Sequence, residues 1–222
     1  MNYTLKLSTL SDTIIGSAQS FGTIIDSDVV FDDRGLPYIP AKRIKGLFRN
    51  AAEDLMQAEG FKEILNLNER VVLDTYGRIG SNDPEPPIIF ENLVLPEIDE
   101  VTAWLDYLAD KYNYGINQAS TVDVFTDLRS HTAIDPKTKT AKQHSLRSSR
   151  ILRKGFSFEG TIALQDDTEE AGDFLAAICL FVDRIGSKRN RGFGKIKLEL
   201  FDNEGLSLTL ALAGKLEEKC KH

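Results

Sequence analysis

The sequence predicts an α+β domain, on three observations. Two segments alternate apolar and polar residues as half-buried strands do, Tyr3-Leu5-Leu7 near the start and Phe156 to Leu164 in the second half. A long helix stands between them at 41 to 59, where Ile44, Leu47, Phe48, Ala51, Ala52, Leu55 and Met56 form one apolar stripe. An apolar helix over 168 to 185 then leads into the strand KIKLELF. Strand, helix, strand, then helix and strand again, is the rhythm of a ferredoxin-like domain with long insertions, the layout that also underlies the RNA-recognition module.

The elements follow in order. After the first strand, DTIIGSAQSFGTIIDSD is small and polar and too irregular for a regular element. VVFDDRGLPYI reads as an extended pair around the turn Asp32-Asp33-Arg34-Gly35. Pro40 starts the long helix and Gly60 ends it. A shorter helix is expected at 61 to 75, a buried strand at IIFENLVL (88 to 95), and a helix from Pro96 to about Lys111 carrying Val101, Trp104, Leu105 and Leu108. Residues 129 to 154 are poor in apolar side chains and contain a DPKTKT turn, so an exposed hairpin or finger is expected there. The helix at 168 to 185 has acids first and Arg184 last, as its dipole prefers. LSLTLAL reads as a last strand. With no linker or low-complexity tract, 1 to 222 reads as one domain, with an inserted helical region at about 61 to 120 and the basic hairpin at about 129 to 154.

Bulk properties narrow the function. The chain has 222 residues, 41% hydrophobic and 27% charged, enough for a full core. No apolar run is long enough to cross a bilayer, and the first residues lack the pattern of a signal peptide. Cys179 and Cys220 have no metal-ligand spacing, and three histidines are too scattered to suggest zinc. A cytoplasmic protein with reduced thiols and no membrane partner is expected.

A net charge of −7 argues at first against nucleic acid, yet the charge is segregated. Arg129, Lys137, Lys139, Lys142, Arg147, Arg150, Arg153 and Lys154 face a single acid in their segment, Asp135. That segment therefore carries +7 in a chain of −7, leaving −14 elsewhere. From Arg184 to Lys197 six more cations occur without an acid. Local fields decide where a polyanion docks.

Three basic elements result. The long helix opens with Lys42, Arg43, Lys45 and Arg49 and carries its acids later, against its dipole by about 0.3–1 kcal/mol per charge. A phosphate at the helix start would resolve that conflict through open N–H groups and cations; a solvated polar face is the alternative. The run Arg184-Ile-Gly-Ser-Lys-Arg-Asn-Arg-Gly-Phe-Gly194 holds Gly186, Lys188, Arg189, Arg191, Gly192 and Gly194. Glycines allow close backbone approach to a ligand, and arginines clamp phosphate bidentately. An ordinary helix-to-strand turn needs one glycine, not three, and no four cations. Phe193 either stacks on a base or enters the core. The run is not a Walker loop. The hairpin is the third element, with Lys142, His144 and Arg147 as its contacts.

Among the acids, Asp32 and Asp33 are explained by their turn. Asp26 and Asp28, in FGTIIDSD, are either plain loop acids or carboxylates able to hold Mg²⁺ or position a ribose hydroxyl. His131 and His144 are either exposed polar residues or acid–base groups near neutral pH. Ser145, Ser148 and Ser149 have no triad context.

On these blocks the sequence resembles the RAMP superfamily of CRISPR-associated proteins, most of all the backbone subunit that lines the guide RNA in type III (Csm, Cmr or III-D-like) effector complexes. GTIIDSDVVFDDRGLPYIPAKRIKGLFR is similar to the family's block of Asp-containing loop, Pro-x-Ile-Pro and helix. LDTYG with IIFENLVL is similar to its aromatic-glycine turn and strand, HTAIDPKTKTAKQHSLRSSRILRKGFSFEG to its thumb block, and RIGSKRNRGFGKI to its glycine-rich loop. The sequence departs from the family at Ala41-Lys42-Arg43, where Gly-Ser-Ser is usual, and at Ile185-Gly186, where Gly-Gly is usual.

The resemblance implies a modified RNA-recognition fold of palm and thumb. Lys42, Arg43, Lys45, Arg49 and the glycine-arginine loop would line the guide crRNA, and Ile134 to Leu146 would wedge between guide and target RNA. Asp26 falls where catalytic members carry the aspartate that cuts target RNA with Mg²⁺ or another divalent cation. An unperturbed carboxylate near ~3.9 is a poor base at neutral pH, so orienting the 2′-hydroxyl or holding metal is its implied role. Implied partners are further copies of the chain or paralogous RAMP subunits, joined head to tail, and the large and small effector subunits. A non-catalytic subunit and a guide-processing endoribonuclease using His131 or His144 stay open as alternatives.

Overall fold

The computed structural model of the chain describes residues 1–16, 28–58, 60, 87–112, 115–142, 145–165 and 169–220. The expected helix at 61 to 75, the LDTYG turn, Asp26 and His144 lie outside the described residues.

A four-stranded antiparallel sheet organises the chain, with β1 (Asn2–Thr9), β2 (Ile88–Phe90), β5 (Ser157–Leu164) and β6 (Ile196–Phe201) in the order β2-β5-β1-β6. The alternation read from β1 is what the sheet uses: Tyr3, Leu5 and Leu7 are buried, and Leu7 sits in register with Phe158 on one side and Leu198 on the other. Against that apolar face pack α1 (Ala41–Gln57) and α4 (Glu169–Phe181). The stripe of α1 is buried through Ile44, Phe48, Ala51, Ala52 and Leu55, and Phe48 meets Phe90 edge-on at 5.4 Å between ring centres. Helix and sheet thus form the expected mixed α+β arrangement.

Between β2 and β5 the chain inserts α2 (Ile98–Tyr112), α3 (Gln118–Phe125) and a separate hairpin of β3 (Thr126–His131) and β4 (Arg147–Leu152). α3 grips the turn before α1. Gly35 adopts φ +87°, and a Cβ there would lie 2.5 Å from the Gln118 carbonyl oxygen, so only glycine fits. Asp32 builds the turn by accepting from the N–H groups of Arg34 and Leu36. Arg34 in turn forks onto Asp106 of α2 at 2.9 and 2.8 Å.

Three boundaries differ from the sequence reading. The strand expected over 88 to 95 ends at Phe90, because Leu93 exchanges both backbone hydrogen bonds with Ile39 while Val94 pairs with Glu159. Gly160 permits that crossing, since a Cβ there would stand 2.6 Å from the Asn92 carbonyl oxygen. α1 closes at Gln57 with Ala58 extended, before Gly60. The helix expected to reach 185 stops at Phe181. The N–H of Ile185 is taken by Gly194 O and that of Ile196 by Asp183 O, which turns Arg184 off the helix.

The last difference is one of type. LSLTLAL is not a strand but the start of α5 (Leu208–Cys220). The alternating leucines mislead because Leu206 and Leu210 are 60% and 65% exposed, while Leu208, Thr209, Leu212 and Leu216 turn inward at helical spacing. Ser207 starts the helix by accepting from the Leu210 N–H at 3.3 Å. Cys179 is buried in α4, and burial pushes its thiol pKa up, so it is inert. Among the described residues no helix is long and apolar enough to cross a membrane. Replacing Ser207 by Ala should lower stability by about 1 kcal/mol in urea denaturation; no loss would mean that the serine does not cap the helix.

Candidate nucleic-acid interface

The hairpin β3–β4 is built largely from polar residues, and residues 129 to 154 carry eight of the chain's 27 lysines and arginines. Its two strands pair from Thr126↔Leu152 to His131↔Arg147. Beyond them Asp135 shapes the tip, accepting from the N–H groups of Lys137 and Thr138. The sole acid of the segment is therefore spent on a turn. Three of its eight cations are spent on structure too. Arg129 donates to Asp12 at 2.9 Å, Arg153 to Asp127 at 2.8 Å, and Arg150 lies between Asp28 and Asp123. The Arg153 hydrogen bond holds the Asp127 carboxyl below its usual range. Lys137, Lys139, Lys142, Arg147 and Lys154 are exposed, as are the apolar Leu128, Ile134 and Leu146.

The glycine-arginine loop is a pinned hairpin with a short 3₁₀ turn, Arg189–Arg191, at its tip. Its three glycines have different duties. A Cβ on Gly186 would lie 2.2 Å from Ile14 O, and one on Gly194 would lie 2.0 Å from Ile185 O. Their close approaches are to the protein's own backbone, so packing within the fold already requires glycine at both positions. Gly192, at φ +84° with open space around it, is the glycine that faces outward. Arg184 is structural as well, donating to the carbonyls of Arg189 and Phe193 at 2.9 and 3.3 Å. Arg189 and Arg191 remain exposed and Lys188 is half-buried. Phe193 enters no core; it lies 5.9 Å from the Arg129 guanidinium.

At the start of α1, Lys42 and Lys45 are exposed, Arg43 donates to Gly16 O at 2.8 Å, and Arg49 pairs with Glu53 at 3.6 Å. The N–H groups expected to be open are partly taken: that of Ala41 donates to Asn92 Oδ1 at 2.8 Å and that of Arg43 to Pro40 O. Any phosphate here would be held chiefly by side chains.

All three elements meet on residues 12 to 16. The hairpin reaches them through the paired bonds of Thr13 and Leu152 and through Arg129 on Asp12. The loop reaches them through Gly194 N to Asp12 O and Ser187 N to Ile14 O. The helix reaches them through Arg43 on Gly16. Asp28, at the other end of the loop that contains Asp26, is 4% exposed and its carboxylate meets Arg150 Nε at 3.1 Å and its neighbour's N–H at 2.8 Å. The structure thus removes Asp28 from the candidate metal and ribose ligands.

Sequence reasoning missed Asp12, Asn92, Arg150 and Arg184 as organisers, since each acts through a partner distant in sequence. One further expectation changes. In an RNA-recognition module, bases stack on aromatic residues of the open sheet face. Here that face is half-exposed and polar, with Lys6 in register between Glu159 and Glu199, and Lys197 paired with Glu199 at 2.8 Å. Phe201, at its margin, is the aromatic residue it offers among those described.

A model of the RAMP superfamily matches residues 6–197. The chain belongs to that superfamily. This RAMP chain is 32% identical over 103 residues to the CRISPR system CMR subunit Cmr6 of Saccharolobus solfataricus, a match covering 44% of the chain and 34% of the relative. It therefore spans about a third of that protein's length. In fold it is similar to a chain of the type III-B Cmr-beta complex bound to cognate target RNA, seen by cryo-EM, with a TM-score of 0.64 and 13% identity over 90% of this chain and 97% of that one. A chain of the apo state of Cmr-beta gives a TM-score of 0.60 and 15% identity over 91% and 98%. α5 lies beyond the stretch that the superfamily model matches.

In this RAMP domain the Asp28–Arg150 pair is the buried charge most exposed to test. Asp28→Ala should cost about 3 kcal/mol in chemical denaturation, the low end for breaking a buried pair because Asp123 still faces the guanidinium. A loss below about 1 kcal/mol would show the pair to be dispensable.

Proposed function

We propose that this chain is an RNA-binding subunit of a type III CRISPR effector complex, its basic face lining the guide crRNA. The observation that carries the reading is the convergence of the three basic elements on residues 12 to 16, which ties basic segments scattered over the sequence to one short stretch of chain. Lys42, Lys45, Lys188, Arg189 and Arg191 are its phosphate contacts, with Arg43 and Arg49 alongside and the backbone at Gly192 approaching closely. Gly186 and Gly194 hold that loop in shape. The strand order β2-β5-β1-β6, two interleaved crossovers, supports a ferredoxin-like palm. The β3–β4 hairpin, with Lys142, His144 and Arg147 and its exposed Leu128, Ile134 and Leu146, is the thumb that wedges guide from target. Other copies or paralogous RAMP subunits stack head to tail beside it, with large and small effector subunits completing the particle.

Within this reading Asp26 cuts the target. The 2′-hydroxyl of a kinked target nucleotide attacks the adjacent phosphate in line, leaving a 2′,3′-cyclic phosphate and a 5′-hydroxyl. Asp26 orients that hydroxyl or holds Mg²⁺ beside the phosphate. Asp28 cannot substitute, being buried on Arg150. Burial, and then the charges of Lys188, Arg191 and Arg129, lower the His131 pKa and make it a weaker base for a guide-processing enzyme.

Two outcomes test the parts separately. Lys45→Glu/Arg191→Glu should weaken binding of single-stranded RNA and flatten the dependence of log K on log salt by about 1.4, for two lost phosphate contacts; an unchanged slope would place the RNA elsewhere. In complexes assembled with guide, complementary RNA and Mg²⁺, Asp26→Ala should slow cleavage at this subunit's sites by about 100-fold or more. Full-rate cleavage would leave the chain a structural subunit.

A further inference from the structure

We infer that the cavity between the extended pair around Gly35 and the start of α2 is a docking site for an arginine side chain, carried by a basic segment of a partner protein. The site lies outside the basic elements assigned to RNA above, and it stands or falls separately from that reading.

The cavity measures about 370 Å³, within the range of ligand pockets. Phe31 and Tyr38 line it as aromatic residues, Asp32 and Asp33 as carboxylates, and Ile98 of α2 adds to its apolar lining. Phe31 bridges to Pro37 and the Tyr38 N–H donates to Val30 O, which holds the two arms of the extended pair together at the cavity's edge. The Tyr38 hydroxyl has no hydrogen-bond partner among the described residues.

The two aspartates have different duties. Asp32 Oδ1 accepts from the N–H groups of Arg34 and Leu36 and so builds the turn. The Asp33 carboxylate is exposed and makes no hydrogen bond or ion pair among the described residues. The neighbouring cation, Arg34, is committed to Asp106 through both arms of its fork, at 2.9 and 2.8 Å. Residues 96 to 110 add Glu97, Asp99, Glu100 and Asp110, all exposed, and hold no lysine or arginine. An aromatic-lined cavity thus opens on an acidic surface, with a carboxylate at its rim that the fold does not use.

An arginine side chain matches each of these features. Its guanidinium is planar, lies flat on an aromatic face and donates in a fork to a carboxylate. Its methylene stem packs on an apolar lining. A lysine ammonium matches the charge but not the fork. Ligands that carry phosphate, RNA included, are repelled by the acids around the opening. Free arginine brings its own carboxylate against those acids, whereas within a polypeptide that group is an amide. The charge pattern therefore selects an arginine held in a protein chain. This chain's own exposed Arg147, Arg189 and Arg191 stand on the elements assigned to RNA, so a different protein supplies it.

The test is NMR titration of the full chain, read at the Tyr38 ring, with N-acetyl-arginine amide, N-acetyl-citrulline amide, free arginine and uridine monophosphate. The arginine amide should bind about tenfold more tightly than the citrulline amide, which has the same shape without the charge. Asp33→Asn should remove most of that ratio while leaving thermal unfolding and the binding of single-stranded RNA unchanged. Equal binding of the two amides, or a ratio that survives Asp33→Asn, overturns the arginine site while the RNA-binding reading stands. Free arginine or uridine monophosphate binding as tightly as the arginine amide would make the cavity a small-molecule site. Self-association of the wild type that Asp33→Asn abolishes would make the occupant a second copy. Either result overturns the partner proposed.

Discussion

Asp12 accepts from three parts of the chain at once: Arg129 and the Lys154 N–H on its carboxylate, and the Gly194 N–H on its backbone carbonyl. With Thr13 paired to Leu152, Ile14 held by Ser187 and Gly16 held by Arg43, residues 12 to 16 form a seam that the hairpin, the loop and α1 all share. The ion pair in this seam is a surface one, 52% and 26% exposed, and contributes at most about 1 kcal/mol. Its consequence is geometric. Backbone hydrogen bonds tie basic segments separated by well over a hundred residues to one short stretch of chain.

Charge is sorted in the same way. Arg150, Arg153, Arg129 and Arg184 are bonded to carboxylates or carbonyls and hold the scaffold, while Lys42, Lys45, Lys142, Arg147, Arg189 and Arg191 stay at the surface. The guanidinium, with several donors in a fixed fork, suits both tasks, bonding carboxylates and carbonyls within the scaffold and offering bidentate contacts at the surface, where lysine adds mobile point charges. The open sheet face, neutralised by its own ion pairs, takes no part in this arrangement.

The α+β class, the stripe of α1, the alternation of β1 and β5 and the turn at Gly35 were legible because each depends on neighbours within a few residues. The charged finger was legible from composition. Boundaries failed where distant backbone intervened: Ile39 drew Leu93 out of β2, and Gly194 drew Ile185 out of α4. LSLTLAL failed because a period of two and a helical stripe share many positions in so short a run, and packing against α4 and β6 made the choice.

The sequence by itself determined the family, the position of Asp26 and which segments are basic, since blocks of residue types in order are one-dimensional facts. Tertiary structure decided what each cation and glycine does. Gly186 and Gly194 serve backbone crossings, Asp28 is buried on Arg150, and His131 is ringed by positive charge. Each of these depends on a partner between about ten and two hundred residues away, and a hydrogen bond or a charge at a few ångströms leaves no periodic trace in the chain.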